Sequence, residues 1–167
     1  MAAGLDPELI HLYGEDYDNV QPLTAQDVAD WLAELQHATW EDASWVIEAD
    51  GRAIGNAWLK VHDTNVQQRV ARYRIGIFNR DYWNRGIGTE ATRLVLRFGF
   101  EDLGLHRIEL RVVDYNVRAI KSYEKAGFVK EGVERETVFL DGQWHSDLRM
   151  AILEQEYRAL RDAWFPS

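Results

Sequence analysis

The chain has 167 residues and a formal net charge of −9 at pH 7, because 28 acidic residues outnumber 19 lysines and arginines. It contains no cysteine, which excludes disulfide bonds, thiolate metal sites and a cysteine nucleophile. No apolar run approaches the roughly 18 residues of a membrane span, residues 1–10 do not resemble a signal peptide, and the negative charge argues against a nucleic-acid-binding surface.

The first part of the chain predicts two helices and a β-hairpin. Residues 8–13 have a helical pattern. Thr24 and Asp27 have the spacing of a capping box, which opens a second helix with apolar residues at helical spacing. Asp50 and Gly51 separate two apolar runs, which is a strong signal of a hairpin.

The rest of the chain alternates strands and helices. In chain order it predicts a strand over residues 70–78, a helix over 87–98, a strand over 107–113, a helix over 116–125, a second Asp-Gly hairpin over 134–152 and a helix over 154–164. Strands dispersed among helices predict an α/β (α+β) fold with a central mixed, mostly antiparallel sheet and helices on both faces. We expect one domain, residues 1–167, located in the cytoplasm.

The turn between the strand over 70–78 and the helix that follows is a candidate phosphate site. Gly86 and Gly88 allow the backbone to approach an anion closely. The first N–H groups of the helix have no intrahelical partner, and the helix dipole adds positive charge there. Arg85 adds a charge next to them. The alternative is a tight turn that needs two glycines, and neither a P-loop nor a full dinucleotide fingerprint is present.

A second candidate motif covers residues 116–128. Asn116 is a good N-cap for a short helix, and its amide can also face a ligand. Tyr123 follows on the same face of that helix. A tyrosine hydroxyl, with an ordinary pKa near 10, suits the protonation of a leaving thiolate. The alternative is a tyrosine that only packs in the core, which is the more common role of an isolated tyrosine.

In this order, the two motifs resemble those of the GNAT superfamily of acyl-CoA-dependent N-acyltransferases. The first is similar to its pyrophosphate motif, Gln/Arg-x-x-Gly-x-Gly/Ala, and the second to its Asn-x-x-Ala-x-x-x-Tyr-x-x-x-Gly-Phe motif. Residues 132–150 are typical of the branch of ribosomal-protein N-terminal and spermidine/diamine N-acetyltransferases. The resemblance covers residues 27–157 and departs in two places: Trp83 stands where the first motif has Gln or Arg, and the first β-strand of the family is missing before the first helix.

The resemblance implies acetyl-CoA as the acyl donor, without a metal, in a V-shaped opening between the strands over 70–78 and 107–113. It implies that the backbones of Ile75, Gly76 and Ile77 pair with the pantetheine arm, that the N–H groups of Arg85, Gly86, Ile87, Gly88 and Thr89 hold the diphosphate, and that Asn116 contacts the pantetheine region. It also implies that Tyr123 protonates the CoA thiolate while an amine attacks the thioester directly. Residues 1–65 would form the acceptor half and residues 66–167 the acetyl-CoA-binding half.

The amine must lose a proton, because an alkyl amine has a pKa near 10.4. We name Glu109 as the candidate base, with Glu48 and Asp63 as others, whereas a strand carboxylate paired with an arginine is the more common role for Glu109. The expected acceptor is a small cationic amine such as a polyamine, or a peptide N-terminus. An aminoglycoside acceptor and a non-catalytic acyl-CoA-binding module are the alternatives. An uncovered sheet edge predicts a homodimer.

Overall fold

The computed structural model describes residues 7–12, 26, 42–61 and 69–166. Its elements are α1 (Pro7–Leu12), β1 (Asp42–Ala49), β2 (Arg52–Val61), β3 (Val70–Ile77), α2 (Ile87–Arg97), β4 (Arg107–Val113), α3 (Val117–Lys125), β5 (Val129–Leu140), β6 (Gln143–Leu153) and α4 (Glu154–Trp164). A short 3-10 turn, Arg80–Tyr82, precedes α2, and a π-helical turn, Phe98–Asp102, follows it. The predicted helix after Thr24 lies outside the described residues except for the helical Gln26.

The six strands form one sheet in the order β1-β2-β3-β4-β6-β5. Strands β3 and β4 pair in parallel, and the four other described pairs are antiparallel. The predicted mixed, mostly antiparallel sheet is therefore confirmed. Among the described residues, the chain enters α1 first and no strand precedes β1, in line with the helix expected near the start.

Both Asp-Gly pairs form the predicted hairpin turns. The φ angles are 52° and 70° at Asp50 and Gly51, and 51° and 74° at Asp141 and Gly142. Positive φ at both central residues is the geometry of a type I′ turn, whose twist matches that of the flanking strands. The second hairpin is longer than predicted, because β5 begins at Val129. Register irregularities within β5 interrupt the alternation of apolar and polar residues, so the sequence pattern did not predict where the strand begins.

The core lies between the sheet and the helices α2, α3 and α4. Its largest fully buried side chains include Tyr73 of β3, Leu96 of α2 and Ile152 of β6. Helix α2 contacts both α3 and α4, and Gly127, just after α3, lies close to Leu160 of α4. No helix within the described ranges is long and apolar enough to span a membrane.

The parallel pair β3–β4 creates the opening that positions the site. The two strands pair only where Val70 to Arg72 face Arg107 to Glu109, and β3 continues to Ile77 while β4 continues to Val113. Beyond the pairing, the edge of β3 that faces β4 has no ladder partner in that strand. This is the V-shaped opening that the resemblance implied.

Candidate active site

A cavity of about 800 Å³ occupies the opening between β3 and β4. Strand β3, the start of α2, the end of β4 and helix α3 form its walls. Nine of the predicted site residues line it: Ile75, Gly76, Ile77, Gly86, Ile87, Gly88, Thr89, Asn116 and Tyr123. Both sequence motifs thus meet at one cavity. Arg85 and Glu109 do not line it.

Helix α2 begins at the cavity with its backbone accessible. Its N-cap, Gly86, has φ 83°, a left-handed conformation that favours glycine, and carries no side chain to cap the helix. The first backbone bond of the helix runs from the Glu90 N–H to the Gly86 carbonyl. The N–H groups before Glu90 lie at the positive end of the helix dipole, where an anion is stabilised.

Strand β3 presents one edge to β2 and the other to the cavity. Ile75, Gly76 and Ile77 pair with β2 through the register that matches Gly55 with Ile77. Their other edge faces the opening, which is where the pantetheine arm is expected. The Ile77 carbonyl accepts a 2.8 Å hydrogen bond from the indole Nε1 of Trp83, a contact that the sequence did not predict.

Asn116 caps α3 as predicted, because its Oδ1 accepts from the Ala119 N–H at 3.1 Å. Its Nδ2 donates to the Leu12 carbonyl at the end of α1, also at 3.1 Å. The hydroxyl of Tyr115 donates to the neighbouring His11 carbonyl at 2.6 Å. Both ends of the Asn116 amide are therefore engaged within the protein, and Asn116 joins the first described helix to a wall of the cavity.

Tyr123 belongs to both the core and the cavity. Its side chain is 8% exposed, and its ring lies edge-on to Tyr73 and to Phe128, with centroids 6.4 and 5.8 Å apart. Packing on two sides fixes the ring, while the residue still lines the cavity. Packing in the core and a role as a general acid are thus compatible for Tyr123, because the core fixes the position of a residue that also lines the cavity.

Glu109 lies in a charged network on the sheet. Its carboxylate accepts two 3.2 Å hydrogen bonds from Arg107, which also binds Glu131 through two further bonds. This arrangement supports the alternative of an arginine-paired strand carboxylate. Of the other candidate bases, Glu48 is exposed on β1 and Asp63 lies outside the described residues.

Arg85 points towards the first hairpin. Its guanidinium lies 4.9 Å from the ring centre of Tyr82 and 3.9 Å from a carboxylate oxygen of Asp50. Arg118 of α3 is one of the cationic residues that line the cavity instead, and its guanidinium carbon lies 3.3 Å from the centre of the Trp83 ring. Sequence reasoning missed this pair, because Trp83 and Arg118 come together only in the folded chain.

The described lining of the cavity is basic in an acidic protein. It contains one carboxylate, Asp147, and six basic residues: Arg72, Arg74, Arg111, Arg118, Lys121 and Lys125. A cavity with this balance attracts an anion, although the net charge of the chain is −9. The sign suits a polyphosphate such as CoA. No group of three or more His, Asp or Glu within the described ranges has the arrangement of a metal site.

The fold and the cavity define an acetyltransferase domain of the GNAT type. The family model described as an acetyltransferase (GNAT) domain matches residues 3–129, which is most of the chain. The chain therefore belongs to this family.

The proteins to which the chain is similar include spermidine N-acetyltransferases. The spermidine N(1)-acetyltransferase of Escherichia coli (strain K12) is 33% identical over 115 residues, 69% of this chain and 60% of that protein, so the chain spans less than two thirds of that relative. The structure of spermidine N-acetyltransferase from Vibrio cholerae with CoA and spermine has a TM-score of 0.74 and 25% identity, covering 92% of this chain and 86% of that chain. A dodecameric structure of the Vibrio cholerae enzyme has a TM-score of 0.68 and 27% identity, covering 82% of this chain and 79% of that chain.

Proposed function

We propose that this protein is an acetyl-CoA-dependent N-acetyltransferase that acetylates a primary amine. One observation carries the proposal: a single cavity is lined by the start of α2, by β3 around Gly76 and by Tyr123. Family membership supports the same activity. In this proposal residues 1–167 act as one domain in the cytoplasm, with the acceptor half in residues 1–65.

The proposed reaction uses each wall of the cavity for one task. N–H groups at the start of α2 hold the diphosphate of acetyl-CoA, and the edge of β3 around Gly76 pairs with the pantetheine amides. The acceptor nitrogen attacks the thioester carbonyl, so that the C–N bond forms and the C–S bond breaks. Tyr123 gives its hydroxyl proton to the departing sulfur. The amine proton leaves to a base or to a chain of water molecules. Glu109 is disfavoured as that base, because it is paired with Arg107 and does not line the cavity.

The proposed acceptor is a polyamine or another small cationic amine. The relatives that are spermidine acetyltransferases support this choice. A peptide N-terminus is the second acceptor class in the proposal. The alternative of an antibiotic acceptor is tested by using an aminoglycoside as the amine. The basic cavity lining fits the cofactor side of the site.

Calorimetry with acetyl-CoA, followed by a free-thiol assay, tests the proposal. We expect micromolar binding, and thiol release that depends on spermidine or putrescine. Release with only an N-terminal peptide or an aminoglycoside would identify a different acceptor. Binding without release from any of these amines would favour the non-catalytic acyl-CoA-binding module, and absence of binding would contradict the proposal.

We further propose that the protein forms a homo-oligomer, with a dimer as the smallest unit. Among the described strands, β5 is at one edge of the sheet, and an edge strand pairs readily with another chain unless it is covered. Four large apolar side chains near this edge and its hairpin are exposed: Val129, Val133, Phe139 and Trp144. Light scattering after size exclusion would give the mass, and a monomer at micromolar concentration would refute the proposal.

A further inference from the structure

The cavity reaches both faces of the sheet. Tyr73 of β3 points to the face that carries α2, because its hydroxyl is 3.0 Å from Thr92 Oγ1 of that helix. Side chains alternate along a strand, so Arg72 and Arg74 point to the opposite face. All three of these β3 residues line the cavity. The cavity therefore passes through the opening between β3 and β4.

The end of the cavity that lies opposite α2 is the end left for the acceptor. In the proposed reaction, acetyl-CoA occupies the start of α2 and the edge of β3. The amine nitrogen has to reach the thioester carbonyl in attacking geometry, and an amine on the α2 side would have to displace the pantetheine arm to do so. The residues at the opposite end therefore decide which amine reaches the thioester.

Helix α1 lies on this opposite face. Leu148 of β6 is buried in the core, and His145, three positions before it in the same strand, points the other way. The ring of Tyr115 lies next to those of His145 and His11, with centroid distances of 4.7 and 4.8 Å. This row of rings places α1, which contains His11, on the face of the sheet that the acceptor approaches.

Two hydrogen bonds hold the last turn of α1 at the cavity. The Tyr115 hydroxyl donates to the His11 carbonyl at 2.6 Å, and Asn116 Nδ2 donates to the Leu12 carbonyl at 3.1 Å. Burial raises the pKa of Tyr115, which keeps its hydroxyl protonated as a donor. Leu12 itself lines the cavity. The two bonds therefore fix an apolar side chain at the end of the cavity that is left for the acceptor.

We propose that Leu12 contacts the acceptor amine, and that Asn116 and Tyr115 position it there. The apolar side chain suits the carbon chain of an amine and not its charged nitrogen, so the contact selects amines by the size of their carbon chain. This inference rests on the proposed function, because it assumes acetyl transfer in this cavity. Asn116 and Tyr115 are positioning residues that act through Leu12.

Leu12→Ala tests the contact, with Leu94→Ala as the matched control. Leu94 is an exposed leucine of α2 that does not line the cavity. Loss of the Leu12 side chain leaves more room for the acceptor, so we expect the preference for spermidine over the shorter putrescine, measured as a ratio of kcat/KM values, to rise by about tenfold. Leu94→Ala should leave this ratio unchanged. If wild type acetylates only peptides, two peptides with a small and a large first residue replace the two amines.

Asn116→Ser separates the contact with α1 from the helix cap. Serine is as good an N-cap as asparagine, so the bond from the Ala119 N–H is kept, but its short side chain cannot also donate to the Leu12 carbonyl. We expect the KM for the acceptor to rise about fivefold, the factor of one hydrogen bond, while the affinity for CoA measured by calorimetry stays at the wild-type value. Asn79→Ser is the matched control, because Asn79 caps the 3-10 turn and does not line the cavity.

Tyr115→Phe tests the second bond. Phenylalanine keeps the ring beside His11 and His145 and loses only the hydroxyl. The KM for the acceptor should again rise about fivefold, without a change in CoA affinity. In the Leu12→Ala background, neither Tyr115→Phe nor Asn116→Ser should change the preference between the two amines further, because both act through the Leu12 side chain.

Thermal unfolding checks that each variant is folded, and if Asn116→Ser is not, Leu12→Ala and Tyr115→Phe decide. A wild-type preference between the amines in Leu12→Ala would overturn the contact. Weaker CoA binding with an unchanged acceptor KM in Asn116→Ser would assign Asn116 to the acyl-CoA and overturn its positioning role. Both results leave the proposed function intact, whereas failure of wild type to release thiol with any amine would overturn the function and the inference together.

Discussion

A methyl group on Gly55 would collide with the carbonyl oxygen of Gly76. Gly55 lies in β2, and Gly76 lies in β3 where it lines the cavity. Gly55 does not have a positive φ angle. The glycine is therefore required by the close approach of the two strands and not by the backbone conformation. The position of the strand expected to pair with pantetheine therefore depends on a glycine of its neighbour, which sequence reasoning did not single out.

Gly55→Ala should disturb both stability and cofactor binding. Because the new methyl group forces β2 and β3 apart, we expect the free energy of unfolding to fall by about 1–3 kcal/mol, the usual cost of overpacking. The affinity for acetyl-CoA should fall as well, since the Gly76 backbone must shift. Urea unfolding and calorimetry measure the two effects.

Gly132→Ala is the control for this change. Gly132 is also a strand glycine, in β5, but an added methyl group there meets nothing within 4 Å. We expect no measurable change in acetyl-CoA affinity from Gly132→Ala. Equal behaviour of the two variants would show that the Gly55–Gly76 contact does not control the site.

Tyr123→Phe should separate chemistry from binding. The phenylalanine ring keeps the contacts with Tyr73 and Phe128 and removes only the hydroxyl that is proposed as the acid. We expect turnover to fall by about 100-fold, a typical contribution of general acid catalysis, and acetyl-CoA affinity to stay within a few-fold. Steady-state kinetics and calorimetry test this.

Tyr157→Phe is the matched control for Tyr123→Phe. Tyr157 is 1% exposed, does not line the cavity, and donates its hydroxyl to Glu101 at 2.6 Å. Its replacement should lower stability and leave turnover unchanged. If Tyr123→Phe turned over like wild type, Tyr123 would not be the acid.

Gly86→Asp should abolish acetyl-CoA binding. An aspartate at the N-cap can accept hydrogen bonds from the first N–H groups of α2, so that a carboxylate competes for the place of the phosphate. Gly86→Asn introduces similar bulk and the same backbone strain at φ 83° without the charge, and should bind more tightly than the aspartate variant. Calorimetry compares the two.

Gly142→Asp controls for backbone strain and added charge. Gly142 has φ 74° and lies in the second hairpin turn, where an added Cβ meets nothing within 4 Å. Acetyl-CoA affinity should remain at the wild-type value in this variant. Normal binding by Gly86→Asp would place the diphosphate elsewhere.

Local features of the fold could be predicted because their signals are local. The turns at Asp50 and Asp141 follow from backbone preference, and the cap at Asn116 from one side chain and one nearby N–H group. The predicted site residues that line the cavity were also found from local signals, because the glycine turn before α2 and the helix that contains Tyr123 each have a short pattern of their own.

Side-chain partners across the fold could not be predicted. Arg107 and Glu109 are two residues apart in β4 and therefore lie on the same face of the sheet. Glu131 belongs to β5, and it binds Arg107 only because β5 and β6 pair on the same side of β4. The Asn116 amide meets the Leu12 carbonyl across 104 positions of sequence. Such contacts depend on the packing of distant elements, and no periodicity in the sequence encodes them.

Acid should weaken the fold through Glu101, in the π-helical turn after α2. Its carboxylate accepts hydrogen bonds from Tyr157 at 2.6 Å and from Arg161 at 2.8 Å, and these bonds lower its pKa below the ordinary value of 4.5. A carboxyl group whose pKa is lower in the folded state stabilises the fold above its unfolded pKa and loses that contribution as the pH falls through its folded pKa.

Glu101→Gln should therefore cost stability at pH 7 but little in acid. We expect a loss of about 1 kcal/mol at pH 7, less than a fully buried charged hydrogen bond would contribute, because the side chain is 36% exposed. The difference from wild type should shrink as the pH falls through and below 4.5. Urea unfolding from pH 7 to pH 3 measures it, with the exposed Glu124→Gln as control. A difference that stayed constant across this range would mean that Glu101 acts by packing rather than by its charge.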